Sequence, residues 1–256
     1  MDANGTQKKE VQEQDFLFDK AYTCPICNNK FKARTVKSGK ARMAGSDLDL
    51  RARYEQIDML KYDIIMCPDC GYAALDRFFN SVTTVQVKNV KEKISATFKS
   101  REPREFYTYD EALDRYKLAL ASAMVKDTNS SEKAYICLKT AWILRGKAEH
   151  LDKELPDYEA QKKQCEDEEN RFLHNALDGF LAARQSEPFP MCGMDEPTVD
   201  YIIAVTAMRF DQDDLAGRLI SGILQSREAS PRLKDRARDV KEMLAKKMKG
   251  NNAATK

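Results

Sequence analysis

Apolar residues recur at three- and four-residue steps through most of the chain after residue 83, which is the period of an amphipathic α-helix. Two of these stretches begin with capping boxes, Thr83 with Gln86 and Thr108 with Glu111, in which each side chain can bond the other residue's backbone N–H. Between them the charged, proline-containing segment 101–106 is predicted to be a linker. Further helices are predicted over residues 132–148, 157–184, 198–210, 213–225 and, after an N-cap at Ser230, up to 247.

Two of the predicted helices share a small–large–small signature, and a third approximates it. The residues are Ala112-Tyr116-Ala119, Ala176-Phe180-Ala183 and Ala216-Ile220-Ile223. The first helix resembles the second helix of a tetratricopeptide repeat. However, the leading alanines are 64 and 40 residues apart, whereas that repeat has a period of about 34. The pattern leaves two interpretations open, an irregular tetratricopeptide-like stack of helix pairs and an ordinary α-helical bundle.

The N-terminal part of the chain has a different, strand-like pattern. Residues 31–36 lead to a Ser38-Gly39 turn signal, which predicts a strand that continues into a hairpin. Residues 62–66 form a short apolar run that predicts another strand. Residues 72–79 are predicted to form a short helix that packs on this region.

Four of the seven cysteines form two pairs with the spacing of metal ligands. Cys24 and Cys27 lie in the sequence Cys-Pro-Ile-Cys-Asn, and Cys67 and Cys70 lie in Cys-Pro-Asp-Cys-Gly. Proline after the first cysteine fixes φ, and the residue after the second has to turn left-handed, which glycine and then asparagine tolerate best. Four thiolates fill a tetrahedral shell and leave no open position. The pattern therefore predicts one structural zinc ion bound by Cys24, Cys27, Cys67 and Cys70.

Two other uses of these cysteines are considered. Iron is the competing metal, because four thiolates in such loops also bind iron. A thioredoxin-like redox role is disfavoured, since both pairs would have to be redox motifs and neither lies in a βαβ pattern. The 39 residues between the pairs exceed the common zinc-ribbon spacing, so this segment is expected to have structure of its own.

Charge gives no argument for a nucleic-acid partner at the level of the whole chain. The 256 residues include 43 basic and 41 acidic side chains, a net charge of +2, which falls to zero if four thiolates bind a divalent ion. The segment from Asn28 to Arg53 is locally basic, which is one route to phosphate contacts. The other interpretation is that these cations balance the −2 charge of a four-thiolate zinc centre. The eight basic residues are Lys30, Lys32, Arg34, Lys37, Lys40, Arg42, Arg51 and Arg53, against Asp47 and Asp49.

No catalytic residues are predicted, and the chain is not expected to be an enzyme. His150 and His174 lack a neighbouring nucleophile arrangement, and there is no phosphate-binding glycine loop, nucleophile elbow or HExxH motif. Cys137 and Cys165 are expected to be buried and inert. Cys192 lies in a predicted loop, where a thiol- or metal-responsive role is a further alternative.

Several of these segments together resemble a bacterial family known as domain of unknown function 2225. The resemblance is carried by Cys-Pro-Ile-Cys-Asn-Asn-Lys-Phe at 24–31, Tyr62-Asp63, Cys-Pro-Asp-Cys-Gly-Tyr-Ala-Ala at 67–74, Cys-Gly-Met-Asp-Glu at 192–196 and Tyr-Ile-Ile at 201–203. It covers roughly residues 20–245. The family implies a cytosolic bacterial protein with a zinc-ribbon-like N-terminal region and a tetratricopeptide-like helical region, and it implies no reaction.

The predicted protein is mostly α-helical. A disordered tail (1–19) precedes a zinc-ribbon-like α+β lobe (20–105), which is followed by an irregular tetratricopeptide-like region (106–248) and a second disordered tail (249–256). We predict a cytoplasmic, non-enzymatic scaffold that binds an unidentified protein or peptide partner through its helices and does not bind a membrane. The alternatives are nucleic-acid binding through the basic segment and a thiol- or metal-responsive regulator.

Overall fold

Three two-stranded antiparallel hairpins form the N-terminal part of the protein in the computed structural model, which describes residues 12–254. Each pair of strands is consecutive in the chain. The first and third hairpins each use one Cys-x-x-Cys segment as their turn, so both cysteine pairs lie at hairpin ends. The strands are β1 (Leu17–Thr23) with β2 (Lys30–Val36), β3 (Met43–Ser46) with β4 (Ala52–Tyr54), and β5 (Ile64–Met66) with β6 (Ala73–Leu75).

The predicted hairpin at Ser38-Gly39 is wrong, although its first strand is correct. Strand β2 pairs backwards with β1, in a register that runs from Leu17–Val36 to Thr23–Lys30. The pairing follows from the first cysteine turn, which reverses the chain directly before β2. It also places Tyr22 opposite Phe31, so that their rings stack with centroids 5.8 Å apart.

The helix predicted over residues 72–79 is largely wrong, for the same reason. Residues Ala73–Leu75 form strand β6 and only Asp76–Phe78 turn into a 3₁₀-helix. The second cysteine turn reverses the chain, so the apolar residues that follow it pair with the predicted strand β5. All three residues of each of these strands are buried.

Both predicted tails need correction. Residues Glu13–Phe16 form a 3₁₀-helix and β1 begins at Leu17, so residues 12–19 are part of the fold. The last helix reaches Ala254, six residues beyond the predicted end at 248. The remainder of the two predicted tails, residues 1–11 and 255–256, lies outside the described residues.

Seven α-helices follow the hairpins within residues 12–254, which confirms the predicted class of a mostly helical protein with small sheets near its N-terminus. Both capping boxes are formed as predicted. No helix among the described residues combines the length and the apolar character needed to cross a membrane. The helices are α1 (Thr84–Val90, followed by a π-helical turn, Lys91–Ser95), α2 (Tyr109–Lys126), α3 (Ser130–Glu149), α4 (Tyr158–Ser186), α5 (Glu196–Arg209), α6 (Asp213–Gln225) and α7 (Pro231–Ala254).

Consecutive helices from α2 to α7 pack against one another in chain order. The three signature triplets, which begin at Ala112, Ala176 and Ala216, are all buried at these contacts. Small residues at such positions let neighbouring helices approach closely. A repeat stack and a bundle share this property, so the tetratricopeptide-like interpretation stays a prediction.

The N-terminal lobe and the helices share one hydrophobic core. Leu60, Ile64 and Met66 belong to the same buried cluster as residues of α2 to α7. The backbone N–H of Ala73 in β6 also donates to Ser122 Oγ of α2, at 3.3 Å. The predicted boundary at 105/106 therefore falls in a surface segment, but the two parts of the chain are packed together through α2.

Candidate metal centre

The four predicted ligands converge on one point between the first and third hairpins. The Sγ atoms of Cys24, Cys27, Cys67 and Cys70 all lie within 4.8 Å of one another. Cys24 Sγ is 3.5 Å from Cys70 Sγ, and Cys27 Sγ is 3.6 Å from Cys67 Sγ. Zn–S bonds of about 2.3 Å in a tetrahedron place sulfur atoms about 3.8 Å apart, whereas a disulfide places them about 2.05 Å apart. The spacing fits four ligands of one metal ion and excludes disulfides between these pairs.

Each cysteine pair is held by the same backbone turn. In the first, Asn28 N–H donates to Cys24 O (2.9 Å) and Cys24 N–H donates to Asn29 O (2.9 Å). In the second, Gly71 N–H donates to Cys67 O (3.1 Å) and Cys67 N–H donates to Tyr72 O (2.9 Å). We call these two turns the knuckles. Because both are closed by their own backbone, each presents its two sulfur atoms on the same side.

The residue after the second cysteine of each knuckle is left-handed, as the sequence predicts. Asn28 has a φ of 62° and Gly71 a φ of 74°. Glycine adopts this conformation without a steric penalty, and asparagine is among the few other residues that tolerate it. The amino-acid types at these two positions therefore follow from the geometry of the knuckles.

The thiols interact strongly because they are close and mostly buried. Cys24 and Cys67 have no exposed surface, and Cys70 is 6% exposed. Hydrogen bonding to neighbouring sulfur atoms raises the pKa of Cys24 to about 12 and raises that of Cys70 as well. Cys67 accepts hydrogen bonds from Cys24 and Cys70 and from backbone N–H groups, which lowers its pKa to about 2. A divalent cation at the centre would supply the charge that lets the closely spaced thiols ionise together.

Aromatic side chains form the wall behind the knuckles. The rings of Tyr22, Phe31 and Tyr72 each lie within about 6 Å of Phe79 between centroids. The hydroxyl of Tyr72 donates to the carbonyl of Phe79 at 3.0 Å. This cluster excludes water from one side of the sulfur atoms, and the exposed Cys27 marks the other side.

The arginines of the basic segment are paired with carboxylates. Arg51 is 4% exposed and its guanidinium lies 3.1 Å from Glu149, and Arg53 lies 2.7 Å from the same residue. Arg34 pairs with Asp19 at 3.2 Å, and Arg42 with Glu55 at 3.7 Å. The four arginines of the segment therefore have carboxylate partners within the protein, which reduces the charge available to a polyanion.

The remaining thiols and the histidines have ordinary surroundings. Cys137 and Cys165 are buried in helices, as predicted. Burial raises the pKa of Cys192 to about 12, so this thiol is protonated at neutral pH. His150 contacts the Gly146 carbonyl and the ring of Tyr109, and His174 lies beside Asp178.

Exchanging the residues that end the two knuckles should have unequal effects. A Cβ at Gly71 would lie 2.4 Å from Cδ2 of Phe98, whose ring covers the second knuckle. We expect Gly71→Asn to lower the free energy of unfolding by about 1–3 kcal/mol, as overpacking does, and Asn28→Gly to change it by less than about 1 kcal/mol. Denaturant unfolding measures both. Adding Phe98→Ala to Gly71→Asn should recover part of the lost stability. If Gly71→Asn were as mild as Asn28→Gly, the Phe98 ring would have to move aside to make room for the new side chain.

Comparisons with known proteins agree with the sequence resemblance. The family model described as "Uncharacterized protein conserved in bacteria (DUF2225)" matches residues 17–244. An uncharacterized protein of Borreliella burgdorferi is 29% identical over 159 residues, which are 52% of this chain and 53% of that protein. The chain thus matches about half the length of this curated relative. No solved structure matches the chain. Since the family match includes both knuckles and all but the end of the helical region, the chain belongs to the bacterial family DUF2225.

Proposed function

We propose that Cys24, Cys27, Cys67 and Cys70 hold one structural zinc ion, and that the protein is a non-enzymatic binding protein whose helices contact a protein or peptide partner. The convergence of the four sulfur atoms within 4.8 Å is the observation that carries the proposal. Four thiolates complete a tetrahedral shell, so no coordination position is left for a substrate or an activated water. Such a centre stabilises structure and does not catalyse a reaction.

The structural role is supported by where the centre lies. One knuckle belongs to the β1–β2 hairpin and the other to β5–β6, which packs on α2. A bound ion would tie the first hairpin to the third, in addition to the buried cluster that Tyr22 forms with Tyr72 and Phe79. Small lobes with limited apolar surface commonly depend on a metal in this way.

The two alternative functions are less well supported by the described residues. For nucleic-acid binding, the arginines of the basic segment are already paired within the protein, as described above. For a thiol-responsive regulator, Cys192 is a protonated thiol at neutral pH and its φ of 51° places it in a tight turn. We therefore favour the binding scaffold, with a role that depends on the metal only for its stability.

Elemental analysis of the purified full chain tests the metal directly. We expect one zinc ion per chain and four thiols that react with a thiol reagent only after a chelator is added. The Cys165→Ser variant, which removes a buried cysteine outside the centre, should keep the zinc and all four protected thiols. Iron in place of zinc would change the identity of the metal but not its structural role, whereas metal-free protein with four freely reactive thiols would contradict the proposal. The scaffold role would be supported by a protein that binds the metal-loaded chain and no longer binds after exposed residues of the helices are changed.

A further inference from the structure

A cleft of about 920 Å³ lies between the β1–β2 hairpin and the surface segment 100–107, with Pro68 and Asp69 of the second knuckle at its side. Its volume is in the range that small organic ligands occupy in proteins. The metal centre and the helical binding surface do not use this cleft, although Lys30, Lys32 and Arg34 of the basic segment lie along it. It therefore requires an explanation of its own.

One wall of the cleft is the polar face of the first hairpin. Residues that pair across an antiparallel hairpin share a face, and successive residues alternate between faces. The Tyr22–Phe31 pair points to the aromatic wall of the metal centre, so the neighbouring pairs point the other way, into the cleft. These cleft-facing pairs are Asp19–Arg34, Ala21–Lys32 and Thr23–Lys30.

The opposite side of the cleft contains a buried arginine. Arg115 of α2 is only 9% exposed, and its guanidinium carbon lies 3.7 Å from the centroid of the Tyr107 ring. Within residues 12–254, no carboxylate pairs with Arg115 and no acceptor hydrogen-bonds to it. Burial lowers the pKa of this guanidinium, and the nearby carboxylate of Glu111 opposes that shift only in part.

The neighbouring arginines of the cleft differ from Arg115 in this respect. Arg101 pairs with Asp114 at 3.5 Å, and Arg104 pairs with Glu111 at 3.1 Å. Both of these pairs are on the surface, where water screens the charges. The cation that is most buried is thus the one that lacks a partner among the described residues. A buried charge that lacks an ion-pair partner is unfavourable, and such a group in a cleft is a candidate for a binding site.

We propose that this cleft binds the phosphate group of a small organic phosphate, with Arg115 as its principal ligand and the exposed Lys30 and Lys32 at the opposite wall. A guanidinium fits two oxygen atoms of an anion with parallel hydrogen bonds. The cleft is lined by six cations and four carboxylates, so a net positive charge remains, which favours a dianionic phosphate over a single carboxylate. This site goes beyond the scaffold function, because it involves a different surface and a different class of ligand.

The aromatic residues of the cleft do not offer a platform for a nucleobase. Tyr107 is 4% exposed. Its ring contacts the guanidinium of Arg115 and stacks on the ring of Tyr62, with centroids 5.1 Å apart. Phe31 faces the metal centre. Because base stacking requires a free ring, the recognised feature is the phosphate and not a base.

Thermal unfolding of the metal-loaded full chain tests the proposal, with inorganic phosphate and glycerol 3-phosphate as probes and sodium chloride at equal ionic strength as the reference. At ten times the dissociation constant, we expect Tm to rise by about 3–6 °C relative to the reference. Arg115→Met should abolish this rise and weaken binding measured by calorimetry by at least roughly tenfold. Tighter binding of glycerol 3-phosphate than of inorganic phosphate would identify an ester as the ligand, and equal binding would identify the free anion.

Two further variants keep the result independent of folding. Lys32→Ala changes an exposed side chain, so it should fold normally and bind phosphate several-fold more weakly. Arg218→Met removes an exposed arginine of α6 that does not line the cleft and should bind phosphate as the wild type does. An equal rise in Tm for the wild type and Arg115→Met, or no rise for the wild type at 50 mM of either probe (roughly the upper limit for a specific site), would overturn the proposal.

Discussion

Cys67→Ser is expected to release the bound metal and to lower Tm by about 10 °C or more. A structural zinc site contributes about 10–16 kcal/mol to the folding of small zinc domains. Losing even about 4 kcal/mol of stability is enough for a 10 °C shift in a chain of this size. The hydroxyl of serine does not replace a thiolate as a zinc ligand, so the centre loses a quarter of its shell and the knuckles lose their common anchor.

The structure indicates that loss of the metal should also destabilise part of the helical region. From the sequence, the helices after residue 106 are expected to keep their structure when the metal is lost. However, Ala73 N–H donates to Ser122 Oγ, and the ammonium of Lys126 lies 3.4 Å from the hydroxyl of Tyr72. The second knuckle is thus bonded directly to α2. We expect amide hydrogen exchange to show faster exchange in α1 and α2 as well as in the hairpins, while α5 to α7 stay protected.

Cys165→Ser is the matched control for this prediction. It makes the same chemical change at a cysteine that is 4% exposed, within α4 and outside the metal centre. It should keep the metal and lose much less stability. Two results would contradict the prediction. One is an equal loss of stability in both variants, and the other is a Cys67→Ser protein that still binds one zinc ion per chain.

The features that could be predicted from the sequence are those encoded within a few residues. The two knuckles carry their ligands, their prolines and their left-handed residue within five positions each, and the structure brings the two together. Capping boxes are equally local, which is why Thr83 and Thr108 mark the starts of α1 and α2 correctly. In each case the residue type is dictated by the backbone geometry at the same place.

The features that were missed depend on contacts between distant residues. Strand β1 has no strong apolar alternation, and its existence follows from pairing with β2 across the knuckle. A cysteine knuckle is itself a chain reversal, so strand character could have been expected on both sides of each one. The position of Arg115, which has no carboxylate partner within residues 12–254, has no such local signal, because it depends on where the segment 100–107 lies relative to α2.

A buried ion network is the largest feature that sequence patterns do not show. Arg145 of α3 donates to Asp47 (2.9 Å) and Asp49 (2.7 Å) from the second hairpin, and to Glu169 (2.8 Å) of α4. Asp49 also accepts from the indole N–H of Trp142 at 2.9 Å. Burial alone lowers the pKa of Arg145, but its hydrogen bonds with these carboxylates outweigh burial and raise the pKa above its ordinary value. The network therefore joins the lobe to two helices about 100 residues away in sequence.

Arg145→Met should be strongly destabilising although it lies outside the metal centre. Asp49 and Glu169 are 6% and 4% exposed, so removing the guanidinium takes the paired cation from buried Asp49 and leaves Glu169 paired with Arg209 at 3.0 Å. Removing one member of a buried ion pair typically costs about 3–5 kcal/mol. We expect a loss of this size in the free energy of unfolding, measured with a chemical denaturant on the metal-loaded protein.

Arg238→Met provides the comparison, since Arg238 pairs with Asp235 on the exposed face of α7, where a salt bridge contributes at most about 1 kcal/mol. Adding Asp49→Asn to Arg145→Met should recover part of the loss, because an amide is cheaper to bury than an uncompensated carboxylate. If Arg145→Met were no more destabilising than Arg238→Met, water would have to reach Asp49, and the second hairpin would not be fixed to the helices by charge. A large loss with partial recovery would instead show that this hairpin, like the knuckle beside α2, is fixed to the helical region by bonds that neither part of the chain can form alone.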